Sequence, residues 1–227
     1  MRTTAFRYET GRPDLEEHPL PRADRVLAVT ARPGPESADL GALLYIFGRS
    51  GTPVALLSLT RGEASPLNST VEPLQSVRPW ELQVAASLLG IASVSVADYP
   101  DGRLSSCGVR VLTERVGRAI TAQSADLILV TDPAEGGLDD AAVAMAACAA
   151  AEEAAVPALA RTLSAARGGW HLDLGASAAQ ARAVQRSAVN RKDALVQSCR
   201  LLHLPVANRG ARRTWREHEN DRVSFAD

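Results

Sequence analysis

Short apolar runs alternate with stretches of helical periodicity along most of the chain. Arg25–Ala31 (RVLAVTA), Val54–Thr60 (VALLSLT), Ala92–Ala97 (ASVSVA) and Leu127–Thr131 (LILVT) are near-continuous apolar segments bounded by polar or turn residues. That is the signature of strands covered on both faces. Trp170–Leu174 (WHLDL) predicts one more strand. Between these runs the apolar period changes. Leu40, Leu43, Leu44 and Phe47 form a stripe that predicts a helix over Ser37–Ser50, with Ser37 as its N-cap and Gly51 as its stop. Arg78–Leu89, closed by Gly90, Arg110–Ala122, the alanine-rich Asp139–Ala155 and the long Ser177–Leu202 predict four further helices, and Tyr99–Gly102 a turn. Strands separated by helices mean βαβ units with right-handed crossovers. The expected fold is therefore α/β, three-layered, around a mostly parallel sheet of five or more strands. Residues 1–24 are proline-rich and aperiodic, an extended arm. Residues 25–227 read as a single domain, with a loop and a short final turn from Pro205.

The chain has 227 residues, enough for one core that needs no disulfide or metal staple. Lys plus Arg number 25 and Asp plus Glu 26, a net charge of −1, which argues against a nucleic-acid partner held by a general positive field. Cys107, Cys148 and Cys199 lie far apart with no CxxC spacing, so zinc-ribbon and dithiol readings fail and a reducing compartment is expected. The polar N-terminus has no apolar signal core, and the longest uncharged stretch, Leu82–Ala97, is broken by serines and Leu89-Gly90. A cytoplasmic protein without a membrane partner is expected, and a homo-oligomer is compatible with the composition.

In a parallel sheet the ligand site lies beyond the carboxyl ends of the strands. The segments there are Arg32–Glu36, Arg61–Ala64, Asp98–Arg103 and Asp132–Asp140. Read in order with their flanks they are VLAVTARPGPE at 26–36, LSLTRGE at 57–63, VRPWELQVAASLLGI at 77–91, DYPDG at 98–102, DLILVTDP at 126–133 and GLDDAAV at 137–143. Gln185-Arg186-Ser187-Ala188 follows on the last long helix. This succession resembles the LmbE-like, or GlcNAc-phosphatidylinositol, de-N-acetylases (the PIG-L family). Their pattern is AHPDDE, LTxGE, R-x-x-E with LG, a DxPDG-like turn, VVTP, HPDH and HRSQ. The resemblance spans about residues 25–190. It implies a Rossmann-like fold and amide hydrolysis on N-acyl amino sugars and related metabolites, with a zinc ion as cofactor.

The resemblance also assigns roles, and here the chain departs from it. Arg32 stands for the first zinc ligand, Pro35 for the second and Asp140 for the third, Gly34 for the general base and Gly137 for the histidine that stabilises the tetrahedral intermediate. Proline has no donor, and arginine is permanently cationic. A catalytic zinc needs about three protein donors, so no metal or other cofactor is expected and no residue is assigned as catalytic. The rim matches better. Glu63, Arg78 and Asp101 occupy positions that face the sugar in the family, Glu36, Thr60 and Gly62 also match, and Asp139 matches the HPDH aspartate.

Each candidate has a functional and a structural reading. Arg32 could hold an anion, or it could pair with Asp140 or Asp132 and fill the metal volume. Asp132, Asp139 and Asp140 could bind Mg²⁺ or supply a base, or could cap the helix that follows. Glu63, Arg78 and Asp101 could clamp a polyol or form an ion-pair network. Cys107 reads as a bland thiol, and His18, His171, His203 and His218 as scattered surface or satisfied residues. The segment 209–222 reads as a solvated surface stretch, and Trp80 and Trp170 as core. The expected function is a sugar- or metabolite-binding protein, taking an amino-sugar-like or thiol-sugar-like ligand, with a setting in bacterial natural-product biosynthesis. The alternative is an active amide hydrolase.

Overall fold

A computed structural model describes residues 17–65, 73–134, 136–162, 170–173, 180–181, 183–190 and 222–226, the side chains of 17–19, 162, 170–173 and 222–226 excepted. Eight described strands form one sheet: β1 (Glu17–Pro19), β2 (Val26–Thr30), β3 (Val54–Thr60), β4 (Ser93–Tyr99), β5 (Leu127–Thr131), β6 (Ala158–Thr162), β7 (Trp170–Asp173) and β8 (Arg222–Ala226). Their spatial order is β1-β7-β8-β6-β5-β2-β3-β4. All the pairings except those of β8, which runs antiparallel to both β6 and β7, are parallel.

The helices are α1 (Pro35–Ala38), α2 (Gly41–Arg49), α3 (Leu74–Leu89), α4 (Val109–Gln123), α5 (Leu138–Ala154) and α6 over residues 180–190, position 182 excepted. A single 3₁₀ turn, Leu104–Ser106, precedes α4. Strand alternation sorts the core into two layers. Val26, Ala28, Val54, Leu56, Leu127 and Leu129 face α2, α3 and α6, meeting Leu43, Phe47, Leu82, Leu89 and Ala188. Leu27, Val29, Leu57, Leu59, Ile128 and Val130 face α4 and α5, meeting Leu112, Val116, Ile120, Ala146 and Ala147. The all-buried pattern of β2 and β3 is what a sheet covered on both faces requires. Alanines on the inner face of α5 let it approach the sheet closely.

Several boundaries differ from the sequence expectation. The helix expected over Ser37–Ser50 is two helices, and Ser37 caps neither of them. It is buried inside α1, its hydroxyl donating to Glu36 Oε1 at 2.8 Å. Gly34 precedes α1 at φ 144°, with Pro35 at the first helical position, where its missing N–H costs nothing. Helix α3 starts at Leu74, four residues before Arg78, and carries Pro79 inside it. Trp80 is 52% exposed and not a core residue, because it projects from the solvent side of that helix. Strand β6 escaped notice because Ala158–Thr162 is short and carries Arg161. The chain terminus is not a loop with a final turn: Arg222–Ala226 is an inserted strand, its pairing supplied by the flanking β6 and β7. Part of the expected arm, Glu17–Pro19, pairs with β7. The helix expected over Ser177–Leu202 is described only at 180–190, and the segment 209–222 lies outside the described residues except for Arg222. No helix among the described residues is long and apolar enough to cross a membrane.

Candidate functional site

Strand β2 leads through α1 and α2 to its neighbour β3 on one face, whereas β5, its other neighbour, leads through α5 to β6 on the opposite face. The switch point lies between β2 and β5, where a crevice forms at the strand ends. The loops after β2, β3, β4 and β5 converge there, and their side chains bond mainly to one another's backbones.

Asp101 is the hub. Its Oδ1 accepts from Arg32 Nε at 3.2 Å and from Thr60 Oγ1 at 3.2 Å, and its Oδ2 accepts from the Ala64 amide at 3.0 Å. Its own amide donates to Glu63 Oε1 at 2.9 Å. Thr60 sits at the end of β3 and in turn accepts from the Gly62 amide at 3.2 Å. Gly62 has φ 75°, which strains any other residue, and a Cβ there would crowd Pro33 Cδ at 3.1 Å and touch Arg78 Nε at 3.5 Å, so glycine suits the position between the first loop and α3.

Arg32 extends from the end of β2 across to α5, where its NH1 donates to Asp140 Oδ2 at 3.3 Å. The arginine side chain is 30% exposed, against 3% for Asp101 and 9% for Asp140. Burial opposes the charge on the guanidinium, but Asp140, Asp101 with its hydrogen bond, and Asp139 outweigh it, so the pKa rises above its ordinary value. The pairing expected with Asp140 is present, with Asp101 as a second partner.

The three expected acidic residues take separate tasks. Asp140 Oδ2 also accepts from the Gly137 amide at 2.9 Å, so it holds the start of α5 from the third helical position, and Gly137 itself is the N-cap. Asp139 accepts from the amides of Gly102 at 2.7 Å and Leu104 at 2.9 Å, with a longer contact to Ser105 at 3.5 Å. It therefore ties the loop after β4 to α5 and does not cap its own helix. Asp132 turns its Oδ1 back to the Ala134 amide at 2.8 Å, and its buried Oδ2 has no hydrogen-bond partner. Among the described residues no group of three or more His, Cys, Asp or Glu side chains is placed to hold a metal ion.

Arg78 joins neither Glu63 nor Asp101. Its NH1 donates to the buried Glu81 at 3.3 Å, one turn along α3. Glu81 is the acid of the R-x-x-E pattern in the sequence, where no role was assigned to it. Among the described residues, buried Arg78 Nε and Glu63 Oε2 also lack a hydrogen-bond partner. Glu36 closes the base of the first loop, accepting from the Gly34 amide at 2.5 Å. Cys107 packs at the margin of the core and makes a 3.5 Å contact to the Arg103 carbonyl. His203 and His218 lie outside the described residues, and for His18 and His171 only the backbone is described, in β1 and β7. Gln185 donates to the Ala38 carbonyl at 2.7 Å and lies against Gly41, pinning α6 behind the first loop.

A mostly parallel α/β sheet with its polar residues gathered at the switch point defines a domain of the Rossmann-like class. The family model for PIG-L, GlcNAc-PI de-N-acetylase, matches residues 27–151, more than half of the chain, and the protein belongs to that family. No curated protein matches the chain by sequence. Among solved structures, the A40926 pseudoaglycone deacetylase Dbv21 is similar at 20% identity and a TM-score of 0.61, over 77% of this chain and 82% of that one. The N,N'-diacetylchitobiose deacetylase from Pyrococcus horikoshii gives 14% and 0.56, over 79% and 75%. GalB, the 4-carboxy-2-hydroxymuconate hydratase from Pseudomonas putida KT2440, gives 16% and 0.58, over 89% and 95%. At such identities these likenesses concern the fold, and the presence of a hydratase beside deacetylases means that the reaction must be argued from the site.

Proposed function

We propose that this chain is a metabolite-binding member of the family whose hydrolytic centre has been rebuilt around a guanidinium, and that its ligand is an amino-sugar-like or thiol-sugar-like polyol. The observation that carries the reading is Arg32 bridging Asp101 and Asp140 at 3.2 and 3.3 Å. A zinc ion beside that permanent cation would be repelled, and it would lose Asp140, the one potential donor kept at a ligand position, to the arginine. The residues do not fit zinc. Position 34 supports the same reading. The backbone there has φ 144°, a conformation that an aspartate serving as general base would adopt only under strain.

What remains suits recognition. Glu63 Oε2 and Arg78 Nε are buried without a hydrogen-bond partner among the described residues, and sugar hydroxyls, each both donor and acceptor, would satisfy them if the side chains turn toward the crevice. The loop that carries Glu63 is already tied by Asp101, the loop after β4 by Asp139, and Arg78 sits on α3, so little ordering is left for binding to drive. A biosynthetic setting is supported by the likeness to a deacetylase in the biosynthesis pathway of teicoplanin.

The test combines elemental analysis, calorimetric titration with glucosamine, N-acetylglucosamine and a thioglycoside, and an acetate-release assay with and without added zinc. The expected outcome is well under one zinc per chain, saturable sugar binding that Glu63→Gln weakens about tenfold, and no zinc-dependent acetate release. Stoichiometric zinc with chelator-sensitive acetate release would establish the active amide hydrolase instead.

A further inference from the structure

Helix α5 is apolar nearly all round. Between Asp140 and Glu152 it carries no charged residue, the run being AAVAMAACAAA. Val143, Ala144, Ala146, Ala147, Ala150 and Ala151 form its buried side. The opposite side faces solvent, with Leu138 79% and Met145 60% exposed and with Ala141, Ala142, Cys148 and Ala149 half-buried along the same strip. The neighbouring α4 shows the ordinary pattern, with Arg110, Glu114 and Arg118 turned outward. A helix that is apolar on every side is normally covered on every side, and an exposed apolar strip with charged residues at its rim marks a contact surface.

The outer positions fit a second copy of themselves. Counted from Met145 they lie at −7, −4, −3, +3, +4 and +7, namely Leu138, Ala141, Ala142, Cys148, Ala149 and Glu152, a spacing that keeps them on one helix face. Turned end for end about Met145, the set maps onto itself. In an antiparallel pair Leu138 therefore covers the methylenes of Glu152 from the other copy, Ala141 meets Ala149, and Ala142 meets Cys148. The small side chains let the two helices approach closely. The charges select the same direction. Arg103 sits at the start of α5, because the amides of Gly102 and Leu104 on either side of it bond to Asp139. Glu152 and Glu153 sit at the other end. All three are exposed, and none of their side chains is hydrogen-bonded or ion-paired among the described residues. An antiparallel pair brings each arginine to the other copy's two glutamates, twice per dimer, whereas a parallel pair would set like charge against like. We infer that the outer face of α5 is the interface of a homodimer, two copies pairing antiparallel about a two-fold axis at Met145. A helix of 17 residues is about 25 Å long, so the contact falls at the small end of interface sizes and the dimer should dissociate in the micromolar range. It uses only the outer side of α5, so it holds whether or not the crevice takes a sugar.

The test is sedimentation equilibrium of the full-length protein from about 1 to 200 µM. The expected result is a mass that rises with concentration toward twice the 24.0 kDa of one chain. Met145→Glu sets two like charges on the axis at an already exposed position, and it should return the protein to monomer with an unchanged circular-dichroism spectrum. Arg103→Glu should weaken dimerisation about tenfold or more, and adding Glu152→Arg and Glu153→Arg should restore it, because the pairs are then reversed and no longer lost. Met145→Cys should give a disulfide-linked dimer under mild oxidation, since the two thiols meet at the axis. The inference is overturned if the parent stays monomeric over the whole range, or if Met145→Glu dimerises as the parent does. It is equally overturned if the charge-reversed triple variant stays as weak as Arg103→Glu, or if Met145→Cys yields no more linked dimer than the parent.

Discussion

Replacing Arg32 with alanine tests the centre of the molecule most directly. The substitution removes two charge-assisted bonds at once, to Asp101 Oδ1 and Asp140 Oδ2, and leaves two carboxylates that are 3% and 9% exposed. Breaking a fully buried pair costs about 3–5 kcal/mol, whereas exposed pairs are worth about 0–1 kcal/mol. The arginine is 30% exposed, and each aspartate keeps other donors, Thr60 and the Ala64 amide for Asp101 and the Gly137 amide for Asp140. The expected cost therefore falls between the two limits, at about 2 kcal/mol. For a chain of this size that lowers the melting temperature by about 4–8 °C, since about 2–4 °C follows from each kcal/mol. The assay is thermal unfolding followed by circular dichroism, with urea titration to confirm an unchanged m-value. Because the penalty comes from stranded charge, Arg32→Met combined with Asp101→Asn and Asp140→Asn is expected to recover most of it. An unchanged melting temperature in Arg32→Ala, or a triple variant no more stable than Arg32→Met alone, would refute the reasoning. Arg32 would then be free for a ligand.

Asp139→Ala strands the amides of Gly102 and Leu104 and loosens the loop after β4, so it is expected to cost about 1–3 kcal/mol, and amide hydrogen exchange should accelerate over residues 102–106. An exchange profile identical to the parent's would contradict that tie. Burial pushes the Cys148 thiol up to about 11, so at pH 8 it should be alkylated far more slowly than an unhindered cysteine, as read by peptide mass spectrometry after iodoacetamide. Burial works against the charge on Asp126, but the amides of Asp24 and Arg25, each at 2.8 Å, outweigh it and hold the carboxyl below its ordinary value of 3.8. A lowered acid contributes its stability above that value and loses it as pH falls through the folded-state value. The destabilisation caused by Asp126→Ala should therefore be full at neutral pH and fade below pH 3.8; an equal loss at every pH would remove the charge from the explanation.

The strands β2, β3 and β5 were legible in the sequence because strands covered on both faces leave near-continuous apolar runs, and these survive any choice of neighbours; β4, an edge strand with no fully buried residue, was legible from its short apolar run alone. The loops that follow them were legible for a related reason: in a parallel sheet, function gathers at the strand ends, so four short segments carried both the family resemblance and the candidate residues. The sequence also marked Arg32 as a guanidinium able to pair with Asp140 or Asp132, and the structure pairs it with Asp140. Other features depended on partners that chain position does not reveal. Asp101 lies 69 positions from Arg32, and Asp140 lies 108 positions from it. Which carboxylate would meet the guanidinium depended on how far the loop after β4 leans over the crevice, which Asp139 decides through backbone amides that any residue type would have supplied. Trp80 reads as core by hydrophobicity alone, yet which side of α3 meets the sheet placed it in solvent. Strand β8 was the least visible, because Arg222–Ala226 pairs antiparallel between two strands far back in the chain. A segment of modest propensity becomes a strand only when folded neighbours present it with unpaired backbone groups, and that is a property of the assembled sheet.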